Sequence, residues 1–211
     1  MKRILVIQDL SCVGRCSLTV ALPILSAMGV NCSALPTAVL STHTAFPDPH
    51  IHSLTEDIVP IGEHLSEIGA EFDAILVGYL SDPEQAEAVA ELMSSFACPV
   101  ILDPAMGDHG KLYKGITREH IAVMRDLAAM ADVVLPNVTE AALLTGMPYR
   151  EDADTGYLRE LARKLLLGQP GWNITRIASA CGFADYNYFI RAFRHHTGLT
   201  PLQYRKQMRK P

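Results

Sequence analysis

The sequence predicts an α/β protein in which a mostly parallel sheet carries helices on both faces and is followed by a short helical segment. Up to about residue 146, apolar runs typical of buried strands alternate with longer segments of helical periodicity, and this alternation occurs five times. The strand-like runs are almost wholly apolar, as in strands that are covered on both faces. Beyond residue 168 only helical patterns follow, and the sign of the net charge changes.

Five short apolar runs predict the strands of the sheet. Most of these runs are rich in Ile, Leu or Val and have a polar residue, Gly or Pro at one or both ends, which favours a buried strand over a helix. In chain order these runs are 3–8, 30–35, 72–78, 98–102 and 132–135.

Helical spacing and end signals predict the helices between these strands. Asp82, Pro83 and Glu84 supply a capping residue, a proline at the first helical position and an acid in the first turn. Gly29 ends the first helix, and Pro60 is expected to kink or break the second. The predicted helices cover 17–28, 53–68, 82–96, 118–130, a segment that begins near 140, and 154–167.

Two polar loops are expected after the first two strands. Residues 9–15 form the first, in which Gly14 permits a close backbone approach. The second covers 37–47 and changes from apolar to hydroxyl-rich. Its group Ser41, Thr42, His43 and Thr44 can either bind a small polar ligand or cap the next turn.

An acidic loop leaves the strand at 98–102 and reads Asp-Pro-Ala-Met-Gly-Asp over 103–108. Open α/β sheets bind ligands beyond the carboxyl ends of their strands. Asp103 and Asp108, with Gly107 allowing a close approach, can hold a hydrated Mg²⁺ against an anionic ligand. Asp, Pro and Gly are also ordinary turn residues, so a plain acidic turn is an equal alternative.

Asn137 and Glu140 follow the strand at 132–135 and stand at a predicted helix N-terminus. A carboxamide and a carboxylate on one turn suit an anion with its metal ion. The alternative is a helix cap without further function.

Charge divides the chain more sharply than the total of −5 indicates. Residues 1–171 carry 11 basic and 22 acidic side chains, a net charge of −11. Residues 172–211 carry 7 basic side chains and only one acid, Asp185, a net charge of +6. This asymmetry predicts two parts with different partners, and a polyanion is the expected partner of the second.

Composition argues against a membrane protein and against a disulfide framework. Apolar residues make up 49% of the chain, yet no continuously apolar run approaches the length of about 18 residues that suggests a membrane span. Gln8 and Asp9 end the first apolar run too early for a signal peptide. The five scattered cysteines suit a reducing compartment. We therefore expect a cytoplasmic protein with no membrane partner.

Several of these segments together resemble one family in order and spacing. They are Ile7-Gln8-Asp9, Ser41-Thr42-His43-Thr44, Gly78-Tyr79, the 103–108 loop, Tyr113, Pro136-Asn137-Val138-Thr139-Glu140 and Leu143-Leu144-Thr145-Gly146. Over residues 1 to about 167 the chain resembles pyridoxal kinase of the ribokinase superfamily. The resemblance implies a ribokinase-like fold and ATP-dependent phosphorylation of the 5′-hydroxymethyl group of pyridoxal, pyridoxine or pyridoxamine in vitamin B6 salvage.

The resemblance also implies residue roles, with ATP and Mg²⁺ as cofactors. Asp9 and Thr44 would contact the pyridine substrate, with His43 beside them. The residues expected at ATP are Asp103, Asp108, Tyr113, Asn137 and Glu140, among which Asp108 and Glu140 are the expected metal ligands. Leu135 departs from the family, in which a hydroxyl residue often precedes Pro-Asn.

A larger departure concerns the general base of these kinases. In the family, an Asp in a Gly-x-Gly-Asp segment takes this role, and the backbone amides of that segment form an anion hole. The only Gly-Asp pair in this sequence is Gly107-Asp108. Because phosphoryl transfer depends on positioning and electrostatic stabilisation, we expect a kinase-like protein with little or no activity.

The basic segment after the break at 168–171 predicts a helix-turn-helix. A short helix with Ile174, Ile177 and Cys181 on one face is followed by a Gly turn at 182–185. A second helix from Tyr186 should bury Phe189 and Phe193. A final basic helix is expected after Thr200-Pro201.

This segment resembles the second helix-turn-helix of AraC-type transcription regulators over about 172–211. The resemblance is carried by Ile177-Ala-Ser-Ala-Cys-Gly-Phe183, Tyr188-Phe189-x-Arg191-x-Phe193 and Thr197-Gly-Leu-Thr-Pro201 with Tyr204-Arg205. It implies major-groove contacts from Tyr186, Asn187 and Arg191 and phosphate contacts from Arg194, Lys206 and Arg209. Since only one of that family's two units is present, we expect weak, salt-dependent DNA binding. The alternative is a helical cap over the space of absent kinase strands.

Three functions remain open at this stage. The chain can be a weakly active pyridoxal kinase, a DNA-binding regulator whose kinase-derived part senses a ligand, or a chimera of two gene fragments without a function. The expected divisions are a kinase-like domain at 1–167, a junction at 168–172 and a helix-turn-helix half-domain at 173–211. The sequence predicts no oligomeric state.

Overall fold

The computed structural model describes residues 1–168 and 186–208 and contains the predicted sheet. Its strands are β1 (Arg3–Val13), β2 (Asn31–Thr42), β3 (Ile51–Ser53), β4 (Ala74–Val77), β5 (Val100–Leu102), β6 (Gly107–Asp108), β7 (Lys111–Leu112) and β8 (Val133–Val134). Six of them form one sheet in the order β3-β2-β1-β4-β5-β8. All pairs in this sheet are parallel except β2 with β3. The predicted mostly parallel α/β architecture is therefore confirmed.

Eight helices occur in the part of the chain that the structure describes. They are α1 (Leu18–Ala27), α2 (Thr55–Glu67), α3 (Pro83–Ser94), α4 (Arg118–Met130), α5 (Val138–Thr145), α6 (Thr155–Gly168), α7 (Tyr186–Thr197) and α8 (Pro201–Met208). Asp82 caps α3 as predicted, since its Oδ1 accepts the Gln85 N–H at 2.9 Å. Helix α2 continues through Pro60. The predicted short helix and Gly turn before residue 186 lie outside the described ranges.

The loops predicted at 9–15 and 37–47 are wrong in part, because both β1 and β2 continue into them. The two strands remain paired to Val13 and Thr42, after a register shift between Gln8 and Leu10. The pairing of β1 with β4 ends at Ile7. Beyond that point the two strands project past the rest of the sheet, so their residues need not be uniformly apolar and the strand pattern is lost.

A small antiparallel hairpin, β6 with β7, was not predicted from the sequence. It begins inside the acidic loop and pairs Gly107 with Leu112 and Asp108 with Lys111. Its two turn residues, His109 and Gly110, have φ angles of 48° and 74°. Positive φ at both central residues is the requirement of a type I′ turn, one of the common two-residue hairpin turns. The hairpin therefore replaces a plain acidic turn with a defined backbone.

The hydrophobic core is one cluster of buried side chains that reaches from the sheet into the last two helices. Ile7, Val77 and Leu102 are fully buried in the sheet. Phe189 and Phe193 of α7 are only 1% and 2% exposed and belong to the same cluster. The described C-terminal helices are thus part of the folded unit. Within residues 1–168 and 186–208, no helix combines the length and the hydropathy needed to cross a bilayer.

Candidate functional site

A cavity of about 500 Å³ opens at the carboxyl ends of β1 and β2. Asp9, His43 and Thr44, the three residues expected to contact a substrate, all line it. Tyr113, expected at the nucleotide, lines it as well. The extension of β1 and β2 past the sheet brings these side chains together. This is the edge at which parallel sheets bind ligands.

Asp9 provides a buried negative charge in this cavity. The residue is 3% exposed, and the hydroxyl of fully buried Ser11 donates to its Oδ2 at 3.0 Å. Tyr79 also lines the cavity, and desolvation followed by the charges of Asp9 and Asp82 raises the pKa of its phenol. The Tyr79 hydroxyl therefore stays protonated and can donate a hydrogen bond to a ligand.

The His43 ring is held by close backbone contacts. Gly14 has a φ of +116°, and a Cβ at that position would overlap the His43 ring. The Ala45 N–H donates to His43 Nδ1 at 3.2 Å, and Phe46 contacts the ring edge-on with centroids 4.7 Å apart. Nδ1 therefore serves as a hydrogen-bond acceptor in this arrangement. The contact between Gly14 and the His43 ring is the close approach that the sequence predicts at this glycine.

The acidic loop is fastened to the N-terminus of α5 by Asn137 and Glu140. Asn137 Nδ2 donates to the Gly107 carbonyl at 2.8 Å, and the Met106 N–H donates to Glu140 Oε1 at 3.3 Å. The same two residues form a capping box, with the Asn137 N–H donating to Glu140 Oε2 at 2.8 Å. One pair of side chains therefore both caps α5 and positions the acidic loop.

Burial raises the pKa of three groups at this end of the site. Glu140 is 3% exposed, and desolvation raises the pKa of its carboxyl to about 7 even though backbone N–H groups oppose the shift. Desolvation also raises the pKa of Asp103, whose side chain is still reached by solvent. The pKa of Tyr113 is raised by desolvation and by the charges of Glu140, Asp108 and Asp103. Three carboxylates near one hydroxyl would repel a polyphosphate that arrives without a cation.

These carboxylates fit a Mg²⁺ ion that keeps most of its water ligands. The described residues contain no group of three or more His, Cys, Asp or Glu side chains arranged to hold a metal by themselves. Mg²⁺ bound with a nucleotide commonly uses only one or two carboxylates, together with water and phosphate oxygens. Asp108, which is half-exposed, and buried Glu140 can supply such ligands.

Sequence reasoning missed several side chains of the cavity. Ser11, Arg15 and Lys114 line it but were not singled out. Lys114 Nζ also pairs with Asp48 Oδ1 at 3.1 Å, which joins the segment after β7 to the loop after β2 across the rim. The only signal for Lys114 was its place beside Tyr113, and its position becomes evident only with the hairpin.

Helix α7 shows the division into buried and exposed faces that the sequence predicts. Phe189 and Phe193 are buried, and the Phe193 ring meets Tyr204 of α8 edge-on at 5.5 Å. Of the residues expected at DNA, Asn187, Arg191 and Arg194 have exposed side chains. The side chains of Tyr186 and Lys206 and the whole of Arg209 lie outside the described residues.

Helix α6 joins the C-terminal helices to the rest of the chain. Arg163 Nη1 donates to the Tyr204 hydroxyl of α8 at 2.9 Å, and Arg163 Nε donates to Glu160 Oε2 at 2.8 Å. At the other end of α6, the Tyr157 hydroxyl donates to the Pro148 carbonyl at 2.7 Å. Helix α6 is thus hydrogen-bonded both to α8 and to the segment that follows α5.

Two family models match this chain. The model for phosphomethylpyrimidine kinase matches residues 22–170, and a model for a helix-turn-helix domain matches residues 139–207. The two matches overlap over α5 and α6. The two matches confirm both resemblances found in the sequence, to the kinase family and to a helix-turn-helix domain.

Curated relatives and solved structures also match the kinase-like part of the chain to kinases. The pyridoxine/pyridoxal/pyridoxamine kinase of Bordetella pertussis is 30% identical over 191 residues, which are 82% of this chain and 63% of that protein. The chain spans about half to two thirds of the length of the curated relatives it matches.

Similar solved structures include complexes with ligands, and two of them are compared with this chain. A Bacteroides thetaiotaomicron protein crystallised with pyridoxal is 40% identical, with a TM-score of 0.75 over 78% of this chain and 58% of that one. Pyridoxal kinase from Leishmania donovani in complex with ADP and pyridoxine is 27% identical, with a TM-score of 0.69 over 79% of this chain and 59% of that one. The ribokinase-like fold expected from the sequence is consistent with both.

Proposed function

Because the chain belongs to the phosphomethylpyrimidine kinase family, we propose that its cavity binds a B6 vitamer and that the adjoining acidic site binds ATP with Mg²⁺. One observation carries the proposal: Asp9, His43 and Thr44 line a single cavity together with Tyr113, which adjoins the acidic site. The pyridoxal and the ADP with pyridoxine in the two solved relatives support this choice of ligands.

The proposed roles combine what the family resemblance implies with the contacts in the site. Asp9 and Thr44 bind and orient the pyridine ring, and His43 forms the neighbouring wall. Asn137 and Glu140 hold the acidic loop in place, while Asp108 and Glu140 serve as ligands of Mg²⁺. The ion would neutralise phosphate charge, which the three carboxylates of the site cannot do.

We further propose that phosphoryl transfer by these 211 residues is slow. The sequence contains no Gly-x-Gly-Asp segment, so the family's general base and anion hole have no counterpart in it. A positioned general base contributes on the order of 10²- to 10⁴-fold to a rate. Binding of both ligands with little turnover is therefore the function that the site supports best.

Substitution of Asp9 tests the vitamer site. We expect Asp9→Asn to weaken pyridoxine binding roughly 10- to 100-fold, since a hydrogen bond to a charged partner contributes about 1.5–3 kcal/mol. Isothermal titration of pyridoxine into both proteins measures the change. The matched control is Asp132→Asn, whose carboxylate accepts the Val100 N–H at 2.9 Å outside the cavity. Equal affinity in Asp9→Asn and the parent chain would contradict the proposed site.

The second candidate function is DNA binding by the C-terminal helices. It is favoured by the helix-turn-helix match over 139–207 and by the exposed Arg191 and Arg194 on α7. We keep the functional division at 168–172, with the ligand site in 1–167 and the DNA-binding part in 173–211. The shared core shows that these helices also contribute to folding.

Removal of one phosphate contact tests the second function. Arg194→Ala should weaken binding to a duplex of arbitrary sequence and lower the slope of log K against log salt by about 1. Fluorescence anisotropy over a salt series measures this slope. Arg118→Ala, at an exposed position on α4, is the control. If both variants keep the parent slope, α7 makes no phosphate contact through Arg194.

A further inference from the structure

We propose that Lys114 forms a reversible imine with the aldehyde of pyridoxal bound in the cavity. This inference rests on the proposed function, because it requires a B6 aldehyde in the cleft. It adds a covalent site that separates pyridoxal from pyridoxine, which carries an alcohol in place of the aldehyde.

Position singles out Lys114 among the lysines that the structure describes. Lys114 alone of these lines the cavity, where Asp9, His43 and Thr44 also contribute to the wall. The other three lysines whose side chains the structure describes are absent from the cavity lining: Lys2, which pairs with Asp73, Lys111 in the hairpin, and Lys164 on α6.

The backbone around Lys114 fixes where its side chain begins. The Ile116 N–H donates to the Tyr113 carbonyl at 3.2 Å, which closes a turn with Lys114 and Gly115 at its centre. The Tyr113 N–H in turn donates to the Met106 carbonyl at 3.0 Å. The turn is therefore anchored to the acidic loop, and Lys114 is presented at the cavity rim.

The ion pair of Lys114 leaves its side chain able to move. Its Nζ lies 3.1 Å from Asp48 Oδ1, with side chains 68% and 94% exposed. An ion pair this exposed contributes little to stability, so it holds the amine near the rim without preventing its movement to a ligand. The ammonium group passes one proton to solvent before the amine attacks a carbonyl.

The chemistry needs no further reactant. The neutral Nζ attacks the aldehyde carbon and gives a carbinolamine, and the carbonyl oxygen then leaves as water as the C=N bond forms. The two hydrogens of that water come from the amine nitrogen, and no atom is oxidised or reduced. Hydrolysis reverses the step and returns free pyridoxal.

The imine would give the chain a function that requires no phosphoryl transfer. A site that binds the vitamer and also captures its aldehyde retains pyridoxal longer than pyridoxine. The absence of a Gly-x-Gly-Asp segment leaves this reaction unaffected, because the reacting amine and the wall of the cavity lie within residues 9–114.

Borohydride trapping tests the inference. The full chain is mixed with less than one equivalent of pyridoxal, reduced, digested and mapped by mass spectrometry. We expect pyridoxyl label at Lys114 at least about tenfold above Lys111, with the label displaced by excess pyridoxine. Lys114→Arg, which keeps the charge beside Asp48, should lose the label, whereas Lys111→Arg should keep it at Lys114.

Pyridoxine titration of the unlabelled chain separates the two proposals. If pyridoxine binds but the label is spread evenly over exposed lysines, the imine inference is overturned and the proposed function stands. If pyridoxine does not bind and the label is spread evenly, both are overturned. Label that stays unchanged in total after Lys114→Arg also overturns the imine inference.

Discussion

Glu140→Gln is expected to remove a pH-dependent loss of stability of about 3 kcal/mol. In the folded chain, burial raises the pKa of Glu140 from 4.5 to about 7. The folded state therefore holds this proton more tightly than the unfolded state does. The contribution of this proton to the free energy of unfolding is fully present below pH 4.5. It is lost as the pH rises through about 7, at roughly 1.4 kcal/mol for each unit of pKa shift.

Denaturant unfolding of both proteins between pH 4.5 and 8 measures this effect. Relative to the parent chain, Glu140→Gln should gain about 3 kcal/mol in the free energy of unfolding over that range. Glu119→Gln, at an exposed position in the first turn of α4, is the control and should show no such trend. A constant difference between Glu140→Gln and the parent at all pH values would show that Glu140 is not a desolvated acid.

Phe193→Ala is expected to destabilise the whole chain by about 3–5 kcal/mol, the usual cost of deleting a buried aromatic ring. Phe193 is 2% exposed, lies between Phe189 and Tyr204, and belongs to the same buried cluster as the sheet residues. If α7 is part of that core, the substitution lowers the stability of the sheet as well as that of the helices.

The measurement is urea unfolding followed both by far-ultraviolet circular dichroism and by pyridoxine binding. We expect the two probes to shift together in Phe193→Ala. Leu202→Ala on α8 is the matched control, because Leu202 is 52% exposed and its loss should change stability by no more than about 0.5 kcal/mol. A shift in helical signal without a shift in pyridoxine binding would show that the C-terminal helices are an independent appendage.

The parts of the fold that could be predicted are those in which local pattern and tertiary environment agree. The five runs became β1, β2, β4, β5 and β8, and each of these strands contributes buried side chains to the core. Polar residues at the ends of β1 and β2 hid the continuation of those strands. In this extension the two strands pair with each other between residues that are 29 positions apart, such as Leu10 and Val39, and no local periodicity records that contact.

The candidate site could be predicted only where a residue carries its chemistry in its own sequence segment. Asp9, His43 and Thr44 were recognised because they stand in motifs that resemble one family. Lys114 was missed because its role depends on the hairpin turn and on Asp48, which is 66 residues away. The raised pKa of Glu140 was likewise invisible, since it arises from tertiary burial against the acidic loop.

The central claim is that this chain binds a B6 vitamer and Mg²⁺-ATP but transfers phosphate slowly. The most direct test is to measure, on one sample, pyridoxine and ATP binding by titration and pyridoxine 5′-phosphate formation by chromatography, with the Bordetella pertussis kinase as reference. We expect saturable binding of both ligands and turnover on the order of 10²- to 10⁴-fold below the reference. Turnover within about tenfold of the reference that is abolished by Asp108→Asn would contradict this account, as would the absence of binding.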